Sequence, residues 1–117
     1  MKKVLVIMNH SLTEGQLEDF SKRGWEPQYL DLDQKAVWEN IAPESIEEAI
    51  NIVTSRFEGD TYLIQGHPGA VVKFVSLYGG ANCYYAQSDR ISIDVPQPDG
   101  SVKKMSQFKH KGFYSYL

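Results

Sequence analysis

Val4-Leu5-Val6-Ile7-Met8-Asn9-His10-Ser11-Leu12-Thr13-Glu14 decides the fold of this chain. The first five residues are an unbroken apolar run of mostly β-forming side chains. A run without alternation predicts a strand buried on both faces of a sheet. It stops abruptly at the polar pair Asn9-His10. Ser11 or Thr13 can then cap a helix, because a hydroxyl accepts from the free amides of a first helical turn. Leu12, Leu17 and Phe20 supply the apolar side of a short helix that ends near Gly24. Trp25 to Leu30 returns as a second strand, and Pro27 marks it as an edge or a strand start.

The same alternation of strand and helix continues outward. Asp31 to Asn40 reads as a linker or short helix carrying Leu32, Val37 and Trp38. Pro43 stands where a helix begins, with Glu44, Glu47 and Glu48 favourable to the dipole of its early turns. Ile46, Ala49, Ile50, Val53 and Phe57 recur at helical spacing, and Gly59-Asp60 ends that helix. Thr61 to Ile64 is a third strand, followed by Gln65-Gly66-His67-Pro68-Gly69. Ala70 to Tyr78 is a helix with a nearly all-apolar surface, which predicts that it is well covered. Gly79-Gly80 stops it, and Ala81 to Ala86 is a further strand. Ile91-Ser92-Ile93-Asp94-Val95 alternates as a half-exposed strand does. Pro98-Asp99-Gly100 marks a turn, and Val102 to Phe108 returns antiparallel. Lys109-His110-Lys111-Gly112 and the aromatic end Phe113-Tyr114-Ser115-Tyr116 complete the chain.

This pattern predicts one α/β domain over 1–117: a Rossmann-like, mostly parallel sheet flanked by helices in 1–90, then a C-terminal antiparallel hairpin and basic-aromatic tail in 91–117. In such sheets ligands gather outside the carboxyl ends of the strands. The loops after Met8 and after Ile64 are therefore expected side by side, with Gln87-Ser88-Asp89-Arg90 as a third loop beside them.

Composition narrows the function classes. The 117 residues suit one core, and 42% apolar with 23% charged residues is ordinary for a folded protein. The longest apolar run is far short of a membrane span. The Met-Lys-Lys start resembles a signal peptide, but Asn9-His10 follows a short apolar stretch with no small-residue cleavage site, so a cytoplasmic protein is expected. Cys83 is the single cysteine, which excludes an internal disulfide and a thiolate cluster. The net charge of −3 divides unevenly: residues 1–60 balance to −6 and residues 61–117 to +3. An acidic first half argues against coating long nucleic acid, whereas a basic second half allows a specific anion site.

Three sets of residues carry candidate chemistry. Asn9-His10-Ser11 sets a carboxamide, an imidazole and a hydroxyl at a strand end and a helix start, where amides and dipole attract phosphate. An imidazole there can give or take a proton; the structural alternative is that Asn9 and Ser11 cap the turn. Gln65-Gly66-His67-Pro68-Gly69 lets backbone approach a ligand, or is a plain strand-to-helix turn. It matches neither a Walker motif nor a GxGxxG fingerprint. Ser88-Asp89-Arg90 and Lys109-His110-Lys111 offer bidentate and point positive charge. Tyr84, Tyr85, Phe113, Tyr114 and Tyr116 stack bases or pack a core or a dimer seam. His10, His67 and His110 lack the spacing of a zinc site, so no metal or cofactor is expected. Cys83, inside an apolar strand, reads as an inert packed thiol.

These residues resemble a family. Asn9-His10-x-Leu12-Thr13-x-x-Gln16 after the opening strand, Gly59-Asp60 leading to Gln65-Gly66-x-x-Gly69, the Ser88/Arg90 segment, Asp99-Gly100-Ser101-Val102-Lys103-Lys104 and Phe108-Lys109-His110 are similar to the small stand-alone CARF-type (CRISPR-associated Rossmann fold) proteins of type III CRISPR systems. The similarity spans nearly the whole chain. It departs at His67, where the family carries an acidic residue, and at Pro68, where it carries an apolar or aromatic one. The resemblance implies binding of cyclic oligoadenylate, most of all cyclic tetra-adenylate, across the two-fold axis of a homodimer. It implies a metal-independent ring nuclease whose catalytic residues are His10 and Asn9. Ser11, Gln65, Gly66, His67, Gly69, Ser88, Arg90, Lys109 and His110 are the implied ligand contacts. The alternative it leaves open is a module that binds or sequesters the ligand without cutting it.

Overall fold

The computed structural model describes residues 1–117. Its elements run β1 (Lys2–Ile7), α1 (Glu14–Arg23), β2 (Trp25–Tyr29), α2 (Leu32–Glu39), α3 (Ile46–Thr54), β3 (Thr61–Ile64), α4 (Pro68–Tyr78), β4 (Cys83–Pro96) and β5 (Val102–Ser115). The strands form one mixed sheet of order β2-β1-β3-β4-β5. β1 pairs in parallel with β2 and β3, β3 in parallel with β4, and β5 closes the sheet antiparallel to β4. Of the two readings of Pro27, an edge or a strand start, the edge holds, because β2 has β1 as its one neighbour.

The continuous apolar run does what its pattern predicts. Val4, Val6 and Met8 face a cluster with Phe20 of α1, Trp25, Leu63 and Phe113. Leu5 and Ile7 face the other way, toward Trp38, Ile50, Val53, Ile64 and Phe74. One helix thus covers one face of the sheet, and α2, α3 and α4 cover the other.

Local chemistry sets the boundaries. Of the two cap candidates, Thr13 closes α1: its hydroxyl accepts from Gln16 N (3.2 Å) and Gln16 Oε1 accepts from Thr13 N (2.9 Å). Gly24 ends α1 at φ 71°, in the left-handed region. Asp31 and Gln34 form the same reciprocal cap on α2, which settles the Asp31–Asn40 segment as a helix. α3 follows a 3₁₀ turn over Pro43–Ser45. It stops at Thr54, short of the expected Gly59-Asp60. The hydroxyls of Thr54 and Ser55 bond back to the carbonyls of Ile50 and Ile52. Phe57 lies outside the helix and packs edge-on against Tyr62.

Two other expectations are corrected. α4 buries Ala70 and Phe74 but leaves Val72 and Leu77 more than half exposed, so its apolar surface is not fully covered. Only one face of that helix has the sheet behind it. The strands expected at 81–86 and 91–95 are one strand, β4, and Gln87 to Arg90 is no loop. Its partner β5 likewise runs through Lys109–Lys111 into the aromatic end. The register from Ser88↔His110 to Pro96↔Val102 supplies the ladder that keeps the polar stretch extended. The outer part of this pair projects as an arm. The radius of gyration of 16.9 Å exceeds the roughly 13–14 Å of a compact chain this long.

Phe74 is fully buried between Tyr62 (5.0 Å between ring centroids) and Tyr78 (4.5 Å). Phe74→Ala is expected to destabilise the fold by about 3–5 kcal/mol. Urea denaturation measures this, and an unchanged midpoint would refute the packing of α4.

Candidate functional site

The sheet order places the two expected loops together. β1 and β3 are adjacent and parallel, with Ile7 opposite Ile64, and Gln65 N donates to Ile7 O (3.0 Å). Asn9-His10-Ser11 and Gln65-Gly66-His67 therefore leave the sheet side by side at its carboxyl end. This is where the strand order reverses, since β2 lies on one side of β1 and β3 on the other.

The two loops differ in how far their groups are already engaged. Asn9, His10 and Ser11 are exposed. The His10 ring touches Ser11 O alone, at 3.2 Å, and Ser11 is free because Thr13 took the cap. Gln65 is half-buried, and its backbone O accepts from Trp38 Nε1 (3.0 Å) while its side-chain Oε1 accepts from Ala86 N (3.3 Å). Gly66 sits at φ 151°, and a Cβ there would lie 2.7 Å from Trp38 Nε1. His67 caps α4, with Nδ1 accepting from Ala70 N (3.3 Å). A Cβ on Gly69 would press on that ring at 3.1 Å. Much of the second loop is thus fixed by packing, which leaves Gln65 Nε2 and the backbone around Gly66 to face a ligand.

The third set of residues lies elsewhere. Ser88, Lys109 and His110 line a cleft of about 500 Å³ between the arm and the first turn of α1, together with Gly15, Gln16 and Phe108. Arg90 is held on the arm, its Nε donating to Ser106 Oγ (3.2 Å) and its guanidinium 6.0 Å from the centre of the Phe108 ring. It does not line this cleft.

Beside the cleft stands a group that sequence reasoning missed. His110 Nε2 donates to Asp19 Oδ2 (2.8 Å), and Asp19 Oδ1 accepts from Arg23 Nε (2.8 Å). The guanidinium also lies 5.0 Å from the Trp25 ring centre and donates to Phe113 O. Burial raises the Asp19 carboxyl, but the hydrogen bonds and charges of Arg23 and His110 outweigh it and hold the group below its ordinary value. The Asp19–Arg23 spacing of four on one helix was visible in the sequence. His110 is ninety-one residues from Asp19 and carried no such signal.

Other candidates resolve as structure. Phe113 is buried in the core, and Tyr116 donates to Ile64 O (2.7 Å), so the aromatic end is partly core. Cys83 is fully buried, and burial pushes its thiol up to about 11. No group of three His, Cys, Asp or Glu side chains gathers as a metal site. No helix is long and apolar enough to cross a membrane.

Together these features define an α/β protein with two loops leaving adjacent parallel strands at the carboxyl end of a mixed sheet. The chain belongs to the uncharacterized protein MJ1673 family, whose model matches residues 2–114. No curated protein and no solved structure matches it.

The lowered Asp19 pKa fixes a pH dependence. Its stabilising contribution is full above the ordinary carboxylate range, near pH 4. It is lost as pH falls through the lowered folded value. Wild type is therefore expected to be more stable than Asp19→Asn at pH 7, with the gap closing toward pH 2. Urea midpoints across that range measure it; a gap independent of pH refutes the assignment.

Proposed function

We propose that the chain is a Rossmann-like, CARF-type protein of a type III CRISPR system that binds and cleaves cyclic oligoadenylate, most of all cyclic tetra-adenylate, in the cytoplasm. The observation that carries this reading is the shared exit of Asn9-His10 and Gln65-Gly66 from two paired parallel strands. Strand-end crevices at such a reversal are ligand sites in open α/β sheets. The free Asn9 amide, the Ser11 hydroxyl and the backbone around Gly66 suit phosphate oxygens. The sequence resemblance supplies the ligand class.

The reaction needs no metal in this reading. The ribose 2′-oxygen attacks its own phosphorus as the bond to the 5′-oxygen breaks, in line with the attack. The 2′-hydroxyl gives up its proton and the leaving 5′-oxygen gains one. His10 serves one of these transfers, while Asn9, Ser11 and nearby amides stabilise the developing charge. The products carry a 2′,3′-cyclic phosphate and a free 5′-hydroxyl. A second reading, capture without cleavage, is favoured by one observation: no side chain orients the His10 ring.

Radiolabelled cyclic tetra-adenylate incubated with the purified chain in EDTA decides between them. Cleavage is expected, with His10→Ala losing turnover by about a hundredfold or more and binding far less. Ligand bound in a gel shift but intact under excess protein selects capture. No binding overturns both readings.

A homodimer belongs to the same proposal. Ile91, Ile93 and Met105 share one face of the arm and stay exposed, and a two-stranded ribbon is marginal in water by itself. Wild type is expected to sediment as a dimer and Ile93→Lys as a monomer. A wild-type monomer at high concentration counts against it.

A further inference from the structure

We infer that the groove between α2 and α3 seats the arm of a second copy of this chain, so that a two-fold pair of chains exchanges arms. The inference rests on the homodimer reading above and names the surface that the exposed face of the arm meets.

The apolar face of the arm is left open by its own chain. Ile91, Ile93 and Met105 are each more than a third exposed. The register Ile93↔Met105 and Val95↔Lys103 sets Val95 and Lys103 on the same face. From Ser88 to Pro96 the ribbon is roughly 30 Å long, on a molecule that measures 54 Å along its longest axis. Its open edge is a poor contact, because the lysines of β5 oppose pairing with another edge strand. The face, and not the edge, is what a partner can take.

The groove offers the matching surface. α2 and α3 lie side by side, tied by the Gln34 side chain donating to Ile52 O (3.0 Å). Between them opens a cavity of about 390 Å³ lined by Ala36, Val37, Ala49 and Ile52, with Asn40, Ser45 and Glu48 as its polar members. Every lining residue belongs to α2, α3 or the turn between them, so no further element closes the groove. Ala36 is exposed and small, which lets a second chain approach the helix pair closely.

Charge selects the occupant. Residues 32–54 carry five carboxylates and one lysine, whereas residues 88–111 carry five lysine or arginine cations and three carboxylates. Glu48 at the groove and Lys103 on the apolar face of the arm both stand outside the ion pairs of the chain. An arm laid on another arm brings two cationic ribbons together, whereas an arm laid in the groove meets opposite charge.

The two surfaces also look to the same side of the sheet. Cys83 packs in the cluster under α2, α3 and α4. Ile91 and Ile93 lie an even number of residues further along the same strand, and the extra residue of the ladder falls in β5. Alternation therefore keeps their side chains on the side that those helices cover. Two chains stacked with these sides facing, about a two-fold axis parallel to the sheet, lay each arm over the other's groove. A stable interface buries roughly 1,200–2,000 Å², and the exchange divides that area between two identical contacts.

Sedimentation over a range of concentrations tests this with wild type, Ile93→Lys, Ala36→Arg and Lys103→Glu, urea midpoints confirming that each is folded. Ala36 is exposed, so the monomer accommodates the arginine. Wild type is expected to dimerise, and Ala36→Arg to raise the dissociation constant by about tenfold or more. Lys103→Glu is expected to raise it by about fivefold, and adding Glu48→Lys to Lys103→Glu to recover most of that loss. A dimer that Ala36→Arg or Lys103→Glu leaves intact, or a loss that Glu48→Lys does not recover, overturns the groove as the seat. If Ile93→Lys still breaks that dimer, the homodimer reading stands with arm upon arm. A wild-type monomer at high concentration overturns both.

Discussion

Gln65 is where the layers of this protein are tied. Its backbone amide donates to Ile7 O, its carbonyl accepts from Trp38 Nε1, and its side-chain oxygen accepts from Ala86 N. One residue past the end of β3 thereby links β1, β4 and α2. The indole must reach past the neighbouring residue to make its bond, and a Cβ on Gly66 would lie in its way. The glycine expected to admit a ligand is first of all needed for Trp38. Because Trp38 is itself nearly completely buried, the position of the second loop is set by the core and not by the loop's own residues. That rigidity is what a binding crevice requires of its wall. The first loop, from Asn9 to Leu12, has no comparable tie, and the chemistry proposed for it depends on what docks there.

Much of this was legible in local sequence. The unbroken run from Val4 to Met8 announced a central strand, and the polar residues ending it announced an exit from the sheet. Pro27 offered an edge or a strand start, and the edge is what the sheet shows. These signals are local, because burial on both faces and a missing amide each leave a mark on the residues that bear them. The errors came where distant parts of the chain decide. Gln87 to Arg90 is polar and looks like a loop, yet a partner strand running to Ser115 holds it extended. Phe57 falls at helical spacing, yet its ring finds Tyr62 only because the helix has already stopped. Asp19 and His110 meet through a register that no periodicity encodes.

The positive balance of the second half also gains a place. Lys73 pairs with Glu47 (3.2 Å) on the helical layer. The other five cations, Arg90, Lys103, Lys104, Lys109 and Lys111, all stand on the β4–β5 pair. Four of them are lysines of β5, the open edge of the sheet. Lysine on an edge strand opposes pairing with another edge, since the charge would have to be buried. This accounts well for Lys103 and Lys104, far out on the arm. It does not by itself explain why Lys109 and Lys111 flank the one histidine held by a carboxylate, at the one shift in the ladder. At that point α1 comes close to His110 through Gly15, and a cleft lies between helix and strand. Edge protection needs charge anywhere along β5 and does not select this point. The position of these two lysines, more than their number, is what edge protection leaves unexplained.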